Sequence, residues 1–119
     1  MDAVTYPDRR TVEFINKNFV AFRVDANQAT QLVIRFEVQY TPTVIILDGD
    51  DKEHHRSVGY LPPEEFIPQL MLGMAKSKFN RDKCFQSLEI LRRLLSDYAG
   101  SKAAAEAAEL KRACLEEGY

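Results

Sequence analysis

The sequence predicts an α/β fold followed by a helical hairpin. Three observations carry this. A short β-rich run, Thr43-Val44-Ile45-Ile46-Leu47, starts directly after Pro42 and closes on Asp48-Gly49. Stretches with helical periodicity lie on both sides of it. From Asp82 onward, large and small apolar residues recur at heptad-like spacing.

The elements follow in order. Residues 7–17 read as a helix with Val12, Phe14 and Ile15 on its apolar side. Residues 19–25 are rich in β-formers and read as a strand. Asn27 is placed to cap a helix over residues 28–36, with Leu32, Val33 and Phe36 turned inward. Residues 43–47 are apolar enough for a strand buried on both faces. Asp48-Gly49-Asp50-Asp51 signals a hairpin turn, and residues 52–58 return as an antiparallel strand ended by Gly59.

Pro63 then opens a helix, with Glu64 and Glu65 in its first turn. Phe66, Ile67, Leu70, Met71 and Met74 form its core side. Pro68 removes one backbone donor there and predicts a kink or a loose first turn. Asp82 is expected to cap a helix to about residue 97, and Ser101 one to about residue 117. In these two helices Leu95 faces Ala103, Leu91 faces Ala107, Leu88 faces Leu110 and Cys84 faces Cys114. Large residues oppose small ones, as in a closely packed antiparallel hairpin.

Composition narrows the function. The chain has 119 residues, 45% of them hydrophobic, and a net charge of −2. Both signs of charge are spread along it, which argues against a nucleic-acid or membrane surface as the main partner. No apolar run approaches a membrane span and no signal peptide opens the chain, so the expected location is cytoplasmic. The two cysteines form neither a disulfide framework nor a metal motif. As a candidate thiol pair, Cys84 and Cys114 are expected to be two reduced thiols in a helical seam, with a disulfide as the alternative.

Other polar groups read as structural. Alternation along a strand keeps His54 and His55 from sharing a metal, and both are expected to be solvated near the turn. Asp48, Asp50 and Asp51 are too short a run for a calcium loop. Arg9-Arg10 and Arg92-Arg93 read as surface charge. No Gly-rich phosphate loop, nucleophile elbow or paired catalytic carboxylate is present. Neither a metal nor a cofactor is expected.

Pro42 is the sharpest signal. A proline cannot donate to a ladder, but it can begin a strand, where it is often a cis peptide. Thr41-Pro42-Thr43 is therefore the candidate binding segment. Around it stand Tyr6-Pro7-Asp8, Val12-Glu13-Phe14-Ile15-Asn16, Asn18-Phe19-Val20, Val24-Asp25, Phe36-Glu37-Val38, Asp48-Gly49 and Gly59-Tyr60-Leu61-Pro62-Pro63-Glu64-Glu65-Phe66. In this order and spacing, residues 1–74 resemble thioredoxin-like proteins.

The resemblance implies a cis-proline at Pro42 whose neighbouring backbone pairs with an extended partner. It also implies a Cys-x-x-Cys at the start of the first long helix, and this chain has none. The expectation is a thioredoxin-like fold lacking its first strand and active-site motif, in which no cysteine holds a helix N-terminus for thiol exchange. The absent strand would lie between residues 19–25 and 43–47. Those two must then pair directly, leave backbone groups unpaired, or accept a strand from another chain. Residues 75–119 resemble a tetratricopeptide-like helical hairpin, expected to pack on the first part.

Two functions follow. In the first, the chain is a non-catalytic binding or scaffolding module that self-associates through its open sheet edge or takes an extended peptide or protein partner. In the second, it belongs to a thiol–disulfide oxidoreductase whose Cys-x-x-Cys lies upstream of Met1. No exchange activity is expected from the chain as written.

Overall fold

The computed structural model describes residues 1–25, 27–28, 30–40 and 42–117. Among them are five helices and one antiparallel sheet of two strands. Helix α1, Arg9–Asn18, starts one residue after Asp8, whose carboxylate accepts from the N–H groups of Arg10 and Thr11. A six-residue helix α2, Thr30–Arg35, follows. Strand β1, Thr43–Leu47, pairs with β2, Glu53–Val58. Three helices complete the chain: α3, Pro63–Asn80, α4, Cys84–Asp97, and α5, Ala103–Glu117.

Helix α3 is the centre of the molecule. It is apolar nearly all round, which suits a helix covered on several sides. Ile67, Met71, Leu72 and Ala75 pack with Leu91 and Leu94 of α4 and with Ala103 and Ala107 of α5. Its other side brings Phe66 and Leu70 against Ile46 of β1, with Tyr6, Phe14, Ile15 and Phe19 at the margin. The small residues let the backbones approach. Ser87 of α4 donates to the Ala75 carbonyl at 2.9 Å, a buried bond between two helices. The boundary expected near residue 74 falls inside α3, which runs on to Asn80 and passes through Pro68 without interruption.

Several expectations are corrected. Residues 19–25 form no strand, although they contain β-forming residues. A lone extended segment has no ladder to join, and propensity cannot supply one. For the same reason β1 is not buried on both faces: only Ile46 is buried, and Leu47 is exposed. Asp82 does not cap α4. It takes a positive φ of 61° in the turn after α3, a conformation that Asp tolerates, and Lys83 stands at the N-cap without a side-chain bond. The Ser101 hydroxyl donates backward to the Tyr98 carbonyl at 2.7 Å. Near the start of α5, Glu65 of α3 accepts from the Lys102 N–H at 2.9 Å.

One buried group is unmatched. The Thr11 hydroxyl oxygen on α1 has no hydrogen-bond partner among the described residues. Thr11→Val replaces it with a methyl group of similar shape. The variant is expected to raise stability by about 1 kcal/mol, read as a later urea midpoint.

Candidate functional site

Two segments are candidates for the site, the free edge of β1 and the unpaired residues 20–24 before α2. Gly59 donates its N–H to the Pro42 carbonyl at 2.8 Å, and the ladder then runs Thr43 to Val58, Val44 to Ser57, Ile45 to Arg56 and Ile46 to His55. Hydrogen-bonded pairs alternate along an antiparallel ladder. With Pro42 and Gly59 joined, Val44 and Ile46 bond toward β2. The N–H and C=O of Ile45 point the other way, to an edge with no strand beside it among the described residues.

Residues 20–24 are the second candidate segment. They belong to no helix or strand and pair with no strand among the described residues. Val20 and Phe22 are each 89% exposed, and Val24 is 49% exposed. Every second residue is apolar and open to solvent, the pattern of a strand face without its cover. Arg23 faces elsewhere: it pairs with Asp2 and lies 5.6 Å from the centre of the Tyr6 ring. Helix α2 packs against no other helix or strand among the described residues, and Ile34 on it is exposed.

The binding segment expected around Pro42 is placed in part. Thr41 lies outside the described residues, and with it the peptide bond to Pro42. Pro42 and Thr43 are half-buried at the mouth of β1, and Thr43 donates its hydroxyl to the Tyr40 carbonyl. The thiols lie far along the chain, on other elements. Neither cysteine is in a disulfide, with Cys84 half-buried and Cys114 fully buried. Cys84 is the first residue of α4, so a cysteine does hold a helix N-terminus, contrary to expectation. It has no Cys-x-x-Cys companion.

His54 is buried and His55 half-buried, so neither is the solvated turn residue expected. Leu47 pairs with Glu53, one step out of register, which leaves His54 as the extra residue of a β-bulge. The bulge breaks strict alternation, so both imidazoles reach residues of α3. His54 is buried, with Nε2 2.8 Å from the Asp48 carboxylate and Nδ1 3.0 Å from Asn80 Nδ2. His55 Nε2 is 2.8 Å from Gln69 Oε1, and its Nδ1 is 3.0 Å from Lys76 Nζ. Lys76 in turn pairs with Glu106 of α5. Sequence reasoning missed this network because nothing in the sequence marks the bulge.

Asp48 is likewise more than a solvated turn residue. The bond from His54 and the N–H groups of Lys52 and Asp50 hold its carboxyl down to about 2. An unfolded Asp titrates near about 4. Its contribution to stability is therefore present above that value and is lost as pH falls through about 2. Asp48→Asn is expected to flatten the acid limb of a melting-temperature profile between about pH 4 and about pH 2. An unchanged slope would contradict this.

No group of three or more His, Cys, Asp or Glu among the described residues is arranged to hold a metal ion. None of the described helices is long and apolar enough to cross a membrane. A family model described as a thioredoxin-like domain matches residues 2–72, more than half of the chain, while no curated protein and no solved structure gave a match. The mixed α/β arrangement of the matched region, with α1, α2, the β1–β2 hairpin and the start of α3, agrees with that description. The chain belongs to the thioredoxin-like domain family.

Proposed function

We propose that this chain is a non-catalytic binding or scaffolding module that takes up an extended strand. The observation that carries the reading is the unpaired edge of β1 together with the solvent-facing row Val20, Phe22 and Val24. A sheet edge offers a ready set of donors and acceptors, and an added strand satisfies them while covering apolar side chains. The first occupant is a second copy of the chain, giving a homo-oligomer, and an extended peptide uses the same edge. The Pro42 segment at the mouth of β1 sets where the incoming strand begins. Helices α4 and α5, the tetratricopeptide-like hairpin, form the scaffold behind. A cytoplasmic setting suits two cysteines that are not in a disulfide.

Sedimentation velocity tests this. The protein is expected to self-associate at micromolar concentration, and the exposed double variant Val20→Asp with Phe22→Asp is expected to sediment as a monomer. A monomeric parent would overturn the reading.

A second reading consistent with a thioredoxin-like domain is a role within a thiol–disulfide oxidoreductase. Cys84 and Cys114 do not form a Cys-x-x-Cys motif. An insulin-reduction assay is expected to stay at background, and clear turnover would favour this second reading.

A further inference from the structure

His55 stands in the middle of a polar chain that crosses three elements. Its neutral imidazole fits there with one donor and one acceptor. Nε2–H donates to Gln69 of α3, and Nδ1 accepts from the Lys76 ammonium, also of α3. Lys76 continues to Glu106 of α5. The hairpin is thus tied to α3, and through α3 to α5, by one side chain in one protonation state.

An imidazolium does not fit the same place. Both ring nitrogens would carry protons, and Nδ1–H would confront the Lys76 ammonium, also a donor, at the present 3.0 Å. Gln69, Lys76, Glu106 and Glu53 are the polar and charged groups that act on His55 from α3, α5 and β2. Burial opposes the charge most strongly, and Lys76 adds to that. Gln69, Glu106 and Glu53 favour the charge and do not outweigh them, so His55 stays below the usual histidine range. The other imidazole of the hairpin, His54, lies against the Asp48 carboxylate and Asn80.

We infer that His55 and Lys76 form an acid-released latch, which holds the β1–β2 hairpin on α3 and α5 near neutral pH and lets it go when His55 takes up a proton. Lys76 remains with Glu106 after release, so the helical layer stays closed while the hairpin loosens. The latch stands whether or not β1 accepts a strand.

Residue-resolved hydrogen exchange on the full chain tests it, with rates corrected for intrinsic pH dependence. The variants are His55→Gln, which cannot protonate, and Lys76→Met, which removes the opposing charge. From about pH 7.5 to about pH 5, hairpin amides such as Val44 and Ile46 are expected to lose protection at least roughly threefold. The Leu91 and Leu94 amides keep theirs. Both variants are expected to flatten the response, and in Lys76→Met the His55 imidazole titrates at higher pH by NMR. Lys76 is partly exposed, so its variant carries the test if His55→Gln does not fold. No loss of hairpin protection in the parent, or the same loss in a folded variant, would overturn the latch.

Discussion

Gly73→Val is expected to destabilise the protein by about 3 kcal/mol, as an earlier urea midpoint with an unchanged slope. Gly73 is buried on the face of α3 that meets the hairpin. A Cβ at this position would stand 2.1 Å from Ile46 Cδ1 and 3.2 Å from both Ile46 Cγ1 and His55 Cβ. Ile46 is itself buried, so its end has little room to move. A valine adds two more methyl groups in the same space. Gly73→Ala should cost much less, because alanine gains about 1 kcal/mol of helix propensity over glycine. Ile46→Val removes the clashing methyl at a cost of about 1 kcal/mol. Combined with Gly73→Ala, it should give back part of the loss. A double-mutant cycle reads this coupling, and simple additivity would show that the hairpin does not rest on Gly73.

Leu91→Ala is expected to cost about 2–5 kcal/mol, a large share of the roughly 5–15 kcal/mol that holds a domain together. Leu91 is fully buried where α3, α4 and α5 meet, beside Met71, Leu72, Ala75 and Ala107. The neighbours lie on three helices and cannot all close on a cavity there. Phe22→Ala removes a larger side chain, yet it should stay within about 0.5 kcal/mol of the parent at concentrations where the chain is monomeric. Phe22 is 89% exposed and rests on no core. Equal losses for the two variants would mean that residues 20–24 are packed in the monomer.

The legible parts of the fold were those written locally. The hairpin follows from an apolar run and an Asp-Gly turn, and the last two helices from the spacing of leucine against alanine. Of the residues expected in the seam, Leu88, Leu91, Ala103, Ala107 and Cys114 are buried, whereas Cys84, Leu95 and Leu110 are half-buried and Leu94, outside the expected stripe, is buried. Residues 19–25 do not form the expected strand because a strand is a relation between two segments, and among the described residues no second segment pairs with them. Asp82 was misread because aspartate suits both an N-cap and a left-handed turn, and the sharp return after α3 demanded the second. The histidine network was hidden by the bulge at His54. One extra residue turned two side chains that should alternate toward the same helix. Gly73 gave no warning either: only the position of Ile46 on a neighbouring element makes that glycine necessary. The Pro42 segment was legible as the mouth of β1, but the open edge beside it depends on which strands pair.

The central claim is that the backbone of Ile45 and of residues 20–24 stays unpaired until another strand arrives. Amide exchange measured residue by residue, first in dilute and then in concentrated protein, addresses it directly. The account predicts fast exchange at Ile45 and residues 20–24 in dilute solution, with Val44 and Ile46 already protected, and a gain in protection at Ile45 and Phe22 as concentration rises. Protection of these amides in the dilute monomer, or none gained at the highest concentration, would contradict it.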